Sequence, residues 1–340
     1  MKALYFTLLA LTTFLAAPPV FAHHGVASLG AAGLEGPGAP VETSSSATLP
    51  EGKWLGLVKL DYAKFKTFDS NPASPEVDYN AYWMAGVGYG FKPWLSLYAI
   101  QPYNMKMDEA GGLNSRGATD LSLTAVIGFK YDERFLLVPA NESLDDLADW
   151  HFTVNLGLSL PTGNANHKLA DGNIDPGKSL GFGKSSFNYG MTATKQFSEN
   201  NTAVFEVNQI RFQKYSYDPD LTYPPGVRTV KFGTETRVNA ALSHRLLTIP
   251  ESKFRLDGNV ELNYLKLGRD VEDGIPNDAS GGEMLYGVLG MRLYQDNMSV
   301  GLALKKPIWT QLNNATPPVV LQGAEGKESY RFVATFSAMF

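Results

Sequence analysis

Residues 254 to 264 read FRLDGNVELNY. Phe254, Leu256, Gly258, Val260, Leu262 and Tyr264 share one parity, while Arg255, Asp257, Asn259, Glu261 and Asn263 share the other. A period of two is the period of a strand, whose successive side chains point to opposite faces. Three charges on one face and none on the other decide which face meets an apolar medium. An Arg or Lys on the lipid face of a membrane barrel costs about 2–4 kcal/mol near the midplane.

The pattern recurs. Trp150, Phe152, Val154, Leu156 and Leu158 oppose His151, Thr153, Asn155 and Ser159, and Leu121, Leu123, Ala125, Ile127 and Phe129 oppose Asp120, Ser122, Thr124 and Lys130. The last eleven residues, YRFVATFSAMF, place Tyr330, Phe332, Ala334, Phe336, Ala338 and Phe340 on one parity. Twelve such segments are predicted, at 53–66, 79–91, 94–106, 118–131, 149–160, 184–197, 201–214, 229–245, 253–267, 281–295, 298–308 and 327–340. Long polar connections alternate with shorter ones, the tightest being Lys92-Pro93, Ser198 to Asn200 and Asp296-Asn297. The exception is 132–148, where a brief helix is predicted around Ser143 to Ala148.

Aromatics fall at the segment ends: Trp54, Tyr62, Tyr79, Phe91, Trp94, Tyr131, Trp150, Phe187, Phe197, Tyr294, Trp309, Tyr330 and Phe340. A soluble sandwich alternates too, but it needs no such girdle at two interfaces. The fold class predicted is all-β: a transmembrane antiparallel up-and-down β-barrel of about twelve strands spanning 52–340.

Before the barrel, residues 1–22 have Lys2, an apolar run from Ala3 to Leu15 and a Val20-Phe21-Ala22 end, the pattern of a secretory signal peptide. No later uninterrupted apolar run is long enough for a membrane-spanning helix. Of 29 Lys and Arg, Lys2 goes with the leader, so the formal charge of −5 becomes −6. That mild acidity argues against a nucleic-acid partner. With no cysteine, disulfides and thiolate metal sites are excluded.

The stretches ATDLSLTAVIGFKY (118–131), NLGLSLPTG (155–163) and FNYGMTATKQF (187–197) resemble the outer-membrane family named for the meta-pathway of phenol degradation. The resemblance implies a monomeric transporter-like barrel in the outer membrane of a Gram-negative bacterium, passing small, aromatic or apolar molecules. It also implies that Tyr330, Phe332, Phe336 and Phe340 form the terminal signal read by the barrel-assembly machinery.

In such a barrel the inward parity offers Lys59, Asp61, Glu206, Asn208, Lys231, Glu235, Arg237, Asn239, Arg255, Asp257, Asn259, Glu261, Arg292 and Lys305. Mixed signs at neighbouring positions point to paired charges instead of a single-sign ion filter. Either they fill the lumen by satisfying one another or they line a narrow or gated path for a small-molecule solute. The Gly-, Ala-, Ser- and Pro-rich segment 23–51 is irregular, and is either a lumen plug or a disordered periplasmic leader.

If cleavage follows Ala22, His23 and His24 would offer copper a free amine and two imidazoles; the alternative is an exposed pair without a metal. Asp171, Asn173 and Asp175 begin like a calcium loop, but Gly177 falls one place late and Phe182 stands where Glu is needed. With Asp270, Glu272, Asp273 and Asp278 they read as solvated acidic loops sharing divalent ions with lipopolysaccharide. No cofactor or enzyme activity is expected: the adjacent Ser243-His244 puts its side chains on opposite faces, and His151 and His167 carry no motif around them.

Overall fold

The computed structural model describes residues 38–65, 79–107, 112–140, 148–223, 228–313 and 328–340. The leader, His23 and His24 lie outside them, as does most of the helix predicted at 143–148. Twelve long strands form the wall: β1 (Trp54–Phe65), β2 (Tyr79–Lys92), β3 (Leu95–Met107), β4 (Leu121–Asp132), β5 (Trp150–Leu160) and β6 (Ser186–Ser198). The second half comprises β7 (Asn201–Arg211), β8 (Glu235–Ile249), β9 (Phe254–Leu267), β10 (Gly282–Gln295), β11 (Met298–Leu312) and β12 (Glu328–Met339).

Each strand pairs antiparallel with its neighbours in the chain, and β12 pairs back onto β1, so the sheet closes into a barrel. The seam runs from Leu55↔Met339 to Phe65↔Glu328. At its end Trp54 and Phe340 exchange two backbone hydrogen bonds of 2.9 Å. Closure is what lets strands cross lipid, because an open edge would leave backbone donors and acceptors unpaired there.

Two short strands extend the wall, Ser115–Ala118 on β3 and Arg134–Leu137 on β4. They replace parts of two connections predicted to be loops. The predicted strand 229–245 is split: Thr229–Lys231 belongs to a separate small sheet, and β8 begins at Glu235. Lys231 is therefore exposed outside the barrel wall, not in the lumen where its parity put it.

The apolar parity faces outward. Val260, Leu262, Leu289 and Met191 are 50 to 66% exposed, an arrangement suited to lipid and not to water. Trp54, Phe91, Tyr131, Trp150, Phe187, Phe197, Trp309, Tyr330 and Phe340 are exposed near the strand ends, and Phe332 and Phe336 lie outward between the last two. Tyr294 departs from the girdle: its parity is inward, with the Arg255 guanidinium 5.8 Å from its ring.

One end of the barrel carries the short turns and the Trp54–Phe340 seam; the other carries the long connections. At this turn end Glu133, Lys253 and Asp296 take left-handed backbone conformations that reverse the chain tightly.

Val260→Arg is expected to destabilise the barrel by about 2–4 kcal/mol, read as a lower urea midpoint for refolding into lipid vesicles. Deleting Phe340 is expected to lower the assembled fraction, measured by heat-dependent mobility in SDS, more than the stability of molecules that do assemble.

Candidate functional site in the lumen

The irregular segment enters the lumen at the turn end. Gly90 makes this possible, because a Cβ there would lie 2.0 Å from the Pro50 carbonyl oxygen. From Pro50 back to Gly38 the chain forms an arch without regular structure, buried through Leu49. The Leu49 N–H donates to Ser96 Oγ (2.7 Å), one residue into β3, and Gly38 N–H to Asp257 Oδ2 (2.9 Å), three residues into β9. Between these anchors the arch rises further, to Glu261.

That carboxylate collects the Val41, Glu42 and Thr43 N–H groups at 3.0, 3.0 and 2.8 Å, together with the Thr43 hydroxyl at 2.6 Å. Arg292 donates to the Ala39 and Pro40 carbonyls (3.2 and 2.8 Å), and Glu206 accepts the Ser44 N–H (3.2 Å). An arch has no ladder of its own, so its backbone groups must find side-chain partners at membrane depth. The inward charges of β7, β9 and β10 supply them. Val41 packs with Val288, Ala303 and Val333.

At the top of the arch Glu42 is clamped by two lysines, Lys59 Nζ at 2.7 Å and Lys305 Nζ at 2.9 Å. Lys305 also sits 4.6 Å from the centroid of the buried Tyr286 ring. Beyond it Arg331 bridges Asp61 (3.1 Å) and Glu328 (Nε to Oε2, 2.8 Å). Arg255 pairs with Asp257 at 2.7 Å, and Arg237 pairs with Glu235.

Of the residues expected in the lumen, Lys59, Asp61, Arg255, Asp257, Glu261, Arg292 and Lys305 surround the arch or adjoin it. Glu206, Asn208, Asn239 and Asn259 also face inward, buried. Glu235 and Arg237 lie nearer the loop end. Glu42, Glu328 and Arg331 were missed by sequence reasoning. Arg331 had the right parity in its strand; nothing in GAPVETSSS marks Glu42 as the partner of lysines on β1 and β11.

The loop end carries a cap with its own core. Residues 161–185, 212–223, 228–234 and 268–281 form it, and Ile174, Phe182, Phe212, Tyr217, Val230 and Phe232 come together in that core. Val230 and Tyr215 join this core to a small sheet of residues 215–216, 229–231, 271–272 and 275–276.

The Pro161-Thr162-Gly163 corner anchors the first of these loops. The Thr162 hydroxyl accepts the Leu121 N–H (2.9 Å), and Asp120 accepts the Gly163 and Phe182 N–H groups (2.9 and 2.8 Å). A Cβ on Gly163 would lie 1.9 Å from the Leu180 carbonyl oxygen. Lys106 on β3 donates to the Gly177 carbonyl across the mouth. A cavity of about 30 Å³ remains beneath, between Ser122, Ser159, Ser186 and Asn188 of the wall and Phe182 and Phe212 of the cap.

The acidic loops are not simply solvated. Asp270 is buried and accepts the Gly233 N–H (2.7 Å), and Glu272 pairs with Arg228 (2.8 Å). Burial pushes the Asp175 carboxyl above its ordinary range, against the pull of the Gly177 N–H and nearby Lys178, Lys106 and Arg228. Asp220 goes the other way: burial opposes ionisation, but the N–H groups of Ile174, Tyr223 and Thr222 outweigh it and hold its carboxyl low. Ser243 is buried toward the lumen and His244 is exposed outside, so the two form no pair.

The barrel is similar to a crystallised outer membrane channel from Pseudomonas putida F1, with a TM-score of 0.64, 15% identity, and 88% of this chain and 100% of that chain covered. The NanC porin (TM-score 0.43, 6% identity, 84% and 98% covered) is more distant. So is a TodX monoaromatic hydrocarbon channel carrying the deltaS2S3 mutation (0.39, 11%, 87% and 92%). At those scores neither carries an argument about this chain. No family model matches the chain, and no curated protein matches it. At 15% identity the likeness to the Pseudomonas channel speaks to the fold.

Glu261→Ala would strand three arch N–H groups, and the two that are buried, those of Val41 and Thr43, would each cost about 1–3 kcal/mol. Hydrogen exchange at residues 41–43 of the folded protein is expected to accelerate strongly, while the β9 amides stay protected. A second expectation concerns pH. A carboxyl raised by burial favours the folded cap below its unfolded pKa, and that contribution is lost as pH rises through the folded value. The Asp175 contribution to exchange protection in 161–185 is therefore expected to fall as pH rises above about 4, and protection in Asp175→Asn to fall less over that range than in the unaltered chain.

Proposed function

We propose that this chain is an outer-membrane channel of a Gram-negative bacterium, passing small molecules passively and narrowed at rest by the arch. One observation carries the reading: what fills the lumen is not part of the wall. The arch is held by side-chain carboxylates and a lysine clamp, so it can leave without breaking any strand-to-strand ladder. A barrel built only for structural support would have no use for a removable filling held by buried charges.

The likeness to the Pseudomonas channel supports a channel fold, and the residues at 118–131, 155–163 and 187–197 support the phenol meta-pathway family. The aromatic or apolar character of the solute comes from that resemblance alone. The chain acts as a monomer, without cofactor or enzymatic chemistry, among lipid and lipopolysaccharide. Its last strand is the segment handed to the assembly machinery, through Tyr330, Phe332, Phe336 and Phe340.

A second reading, a closed barrel whose cap meets a surface partner, draws on the cap's own hydrophobic cluster. A metal-related role of His23 and His24 is a lesser reading, tested by copper titration of the processed N-terminus.

Liposome swelling with purified protein separates the two main readings. The full chain is expected to pass small solutes slowly, and chains carrying Glu261→Ala or lacking residues 23–50 to pass them several-fold faster. No flux from any of the three would leave the closed barrel as the answer.

A further inference from the structure

The charges of the lumen are not spread evenly around it. Going round from β8 to β1, every strand puts a charge inward: Arg237, Glu261, Arg292, Lys305, Arg331 and Lys59 in turn. The opposite side is different. On β4 the buried inward residues include Ser122 and Thr124, on β5 Thr153 and Asn155, and on β6 Thr192 and Thr194. These three strands put two charged residues on the inward parity, Lys130 and Asp132, both at the turn end, where Asp149 pairs with Lys130 at 2.9 Å; Asp120, just before β4, is held by the Gly163 and Phe182 N–H groups of the cap.

The arch has the same two sides. Its charge, Glu42, is turned to Lys59 and Lys305, while the run Thr43 to Thr48 reads TSSSAT. From that run the Ser46 N–H donates to Thr194 Oγ1 (2.8 Å), and the Thr48 methyl lies over Gly128. On this half the arch thus meets the wall through a backbone N–H on a hydroxyl and through apolar contacts, with Ala47 and Leu49 in one cluster with Val126 of β4.

Asn155 Nδ2 and, beside it on β7, Asn208 Oδ1 are buried without a hydrogen-bond partner among the described residues. So is Thr119 Oγ1, in the wall of the cavity under the cap. Buried polar atoms of this kind are normally met by water or by a ligand.

We propose that the solute route follows this uncharged stripe, from the cavity beneath loop 161–185 past Asn155 to Thr194, and that it takes small uncharged hydrogen-bonding molecules such as polyols or amides. The inference rests on the channel reading above and sets a neutral polar solute in place of the aromatic or apolar one that the family resemblance implies. Donors and acceptors along the stripe replace the hydration of a neutral polar solute step by step. The fixed charges at its edges, Asp120 in the cavity wall and Glu206 opposite Thr192, already accept N–H groups of the cap and the arch, so an ion gains less there than a neutral polar solute, and an apolar solute would leave the wall's polar groups unpaired.

The test uses full-length protein and the Glu261→Ala variant in liposomes, with erythritol against erythronate, its sugar acid of the same carbon number. Erythritol is expected to enter several-fold faster. Asn155→Asp and Asn208→Asp put a carboxylate on the stripe and are expected to shift the reversal potential in a KCl gradient toward cation selectivity. A role in packing alone would not move that potential.

Should those variants fail to assemble, Ser159→Cys gives a second readout, because the chain has no cysteine of its own. Its modification by a methanethiosulfonate reagent is expected to cut erythritol flux. Equal rates for the two solutes overturn the solute class and leave the channel reading standing. An unshifted potential together with unblocked flux overturns the route. No flux of either solute from either protein overturns the channel reading and this one with it.

Discussion

At membrane depth every backbone donor and acceptor must be paired within the protein, and this requirement shapes the whole molecule. The wall meets it by closing: β12 lies against β1, and Trp54 and Phe340 complete the ring at the turn end. Residues 38–49, which also lie inside the barrel, have no strand to pair with. Their N–H and C=O groups turn to side chains, and that explains why the lumen holds carboxylates on β7 and β9 and a guanidinium on β10. The polar interior and the arch are two aspects of one constraint.

Holding charges inside carries its own cost, since a buried ion without a partner is far more expensive than a paired one. The lumen answers with local neutrality. Glu42 is shared by two lysines, Arg331 by two carboxylates, and Arg255 and Arg237 each pair with an acid two residues away. The sharing makes Glu42 structurally distinct. It is the one member of this network that is not fixed to the wall, so moving the arch would remove a carboxylate from between Lys59 and Lys305. Glu261 would at the same moment lose the amides it now holds.

The barrel was legible in the sequence because lipid imposes a strict period of two and a strict sign on each face. FRLDGNVELNY needs no tertiary information to be read correctly, and the same holds for most inward residues. Legibility failed where that constraint stops. Lys231 has the parity of a lumen residue, but it stands beyond the end of β8, where the chain is free to join a small sheet above the barrel. Asp175 and Asp270 looked like solvated loop acids because loop sequences carry no periodicity from which burial could be inferred. Glu42 was hidden for a related reason: an irregular segment gives no pattern, and its partners come from strands far apart in the chain.

The segregation of charge lay in plain view but could be recognised only once the strand order was known. Read one strand at a time, Thr153, Asn155, Thr192 and Thr194 are ordinary inward residues of a polar lumen. Set side by side, the loop-side parts of β4, β5 and β6 form a surface rich in hydroxyls and amides, and the ionic strands gather on the other side, where Glu42 is clamped. A lumen filled at random with polar residues would have scattered its charges. Concentrating them around Glu42 separates the side of the lumen that clamps the arch by charge from the side, β4 to β6, that meets it through the Ser46 N–H and apolar contacts.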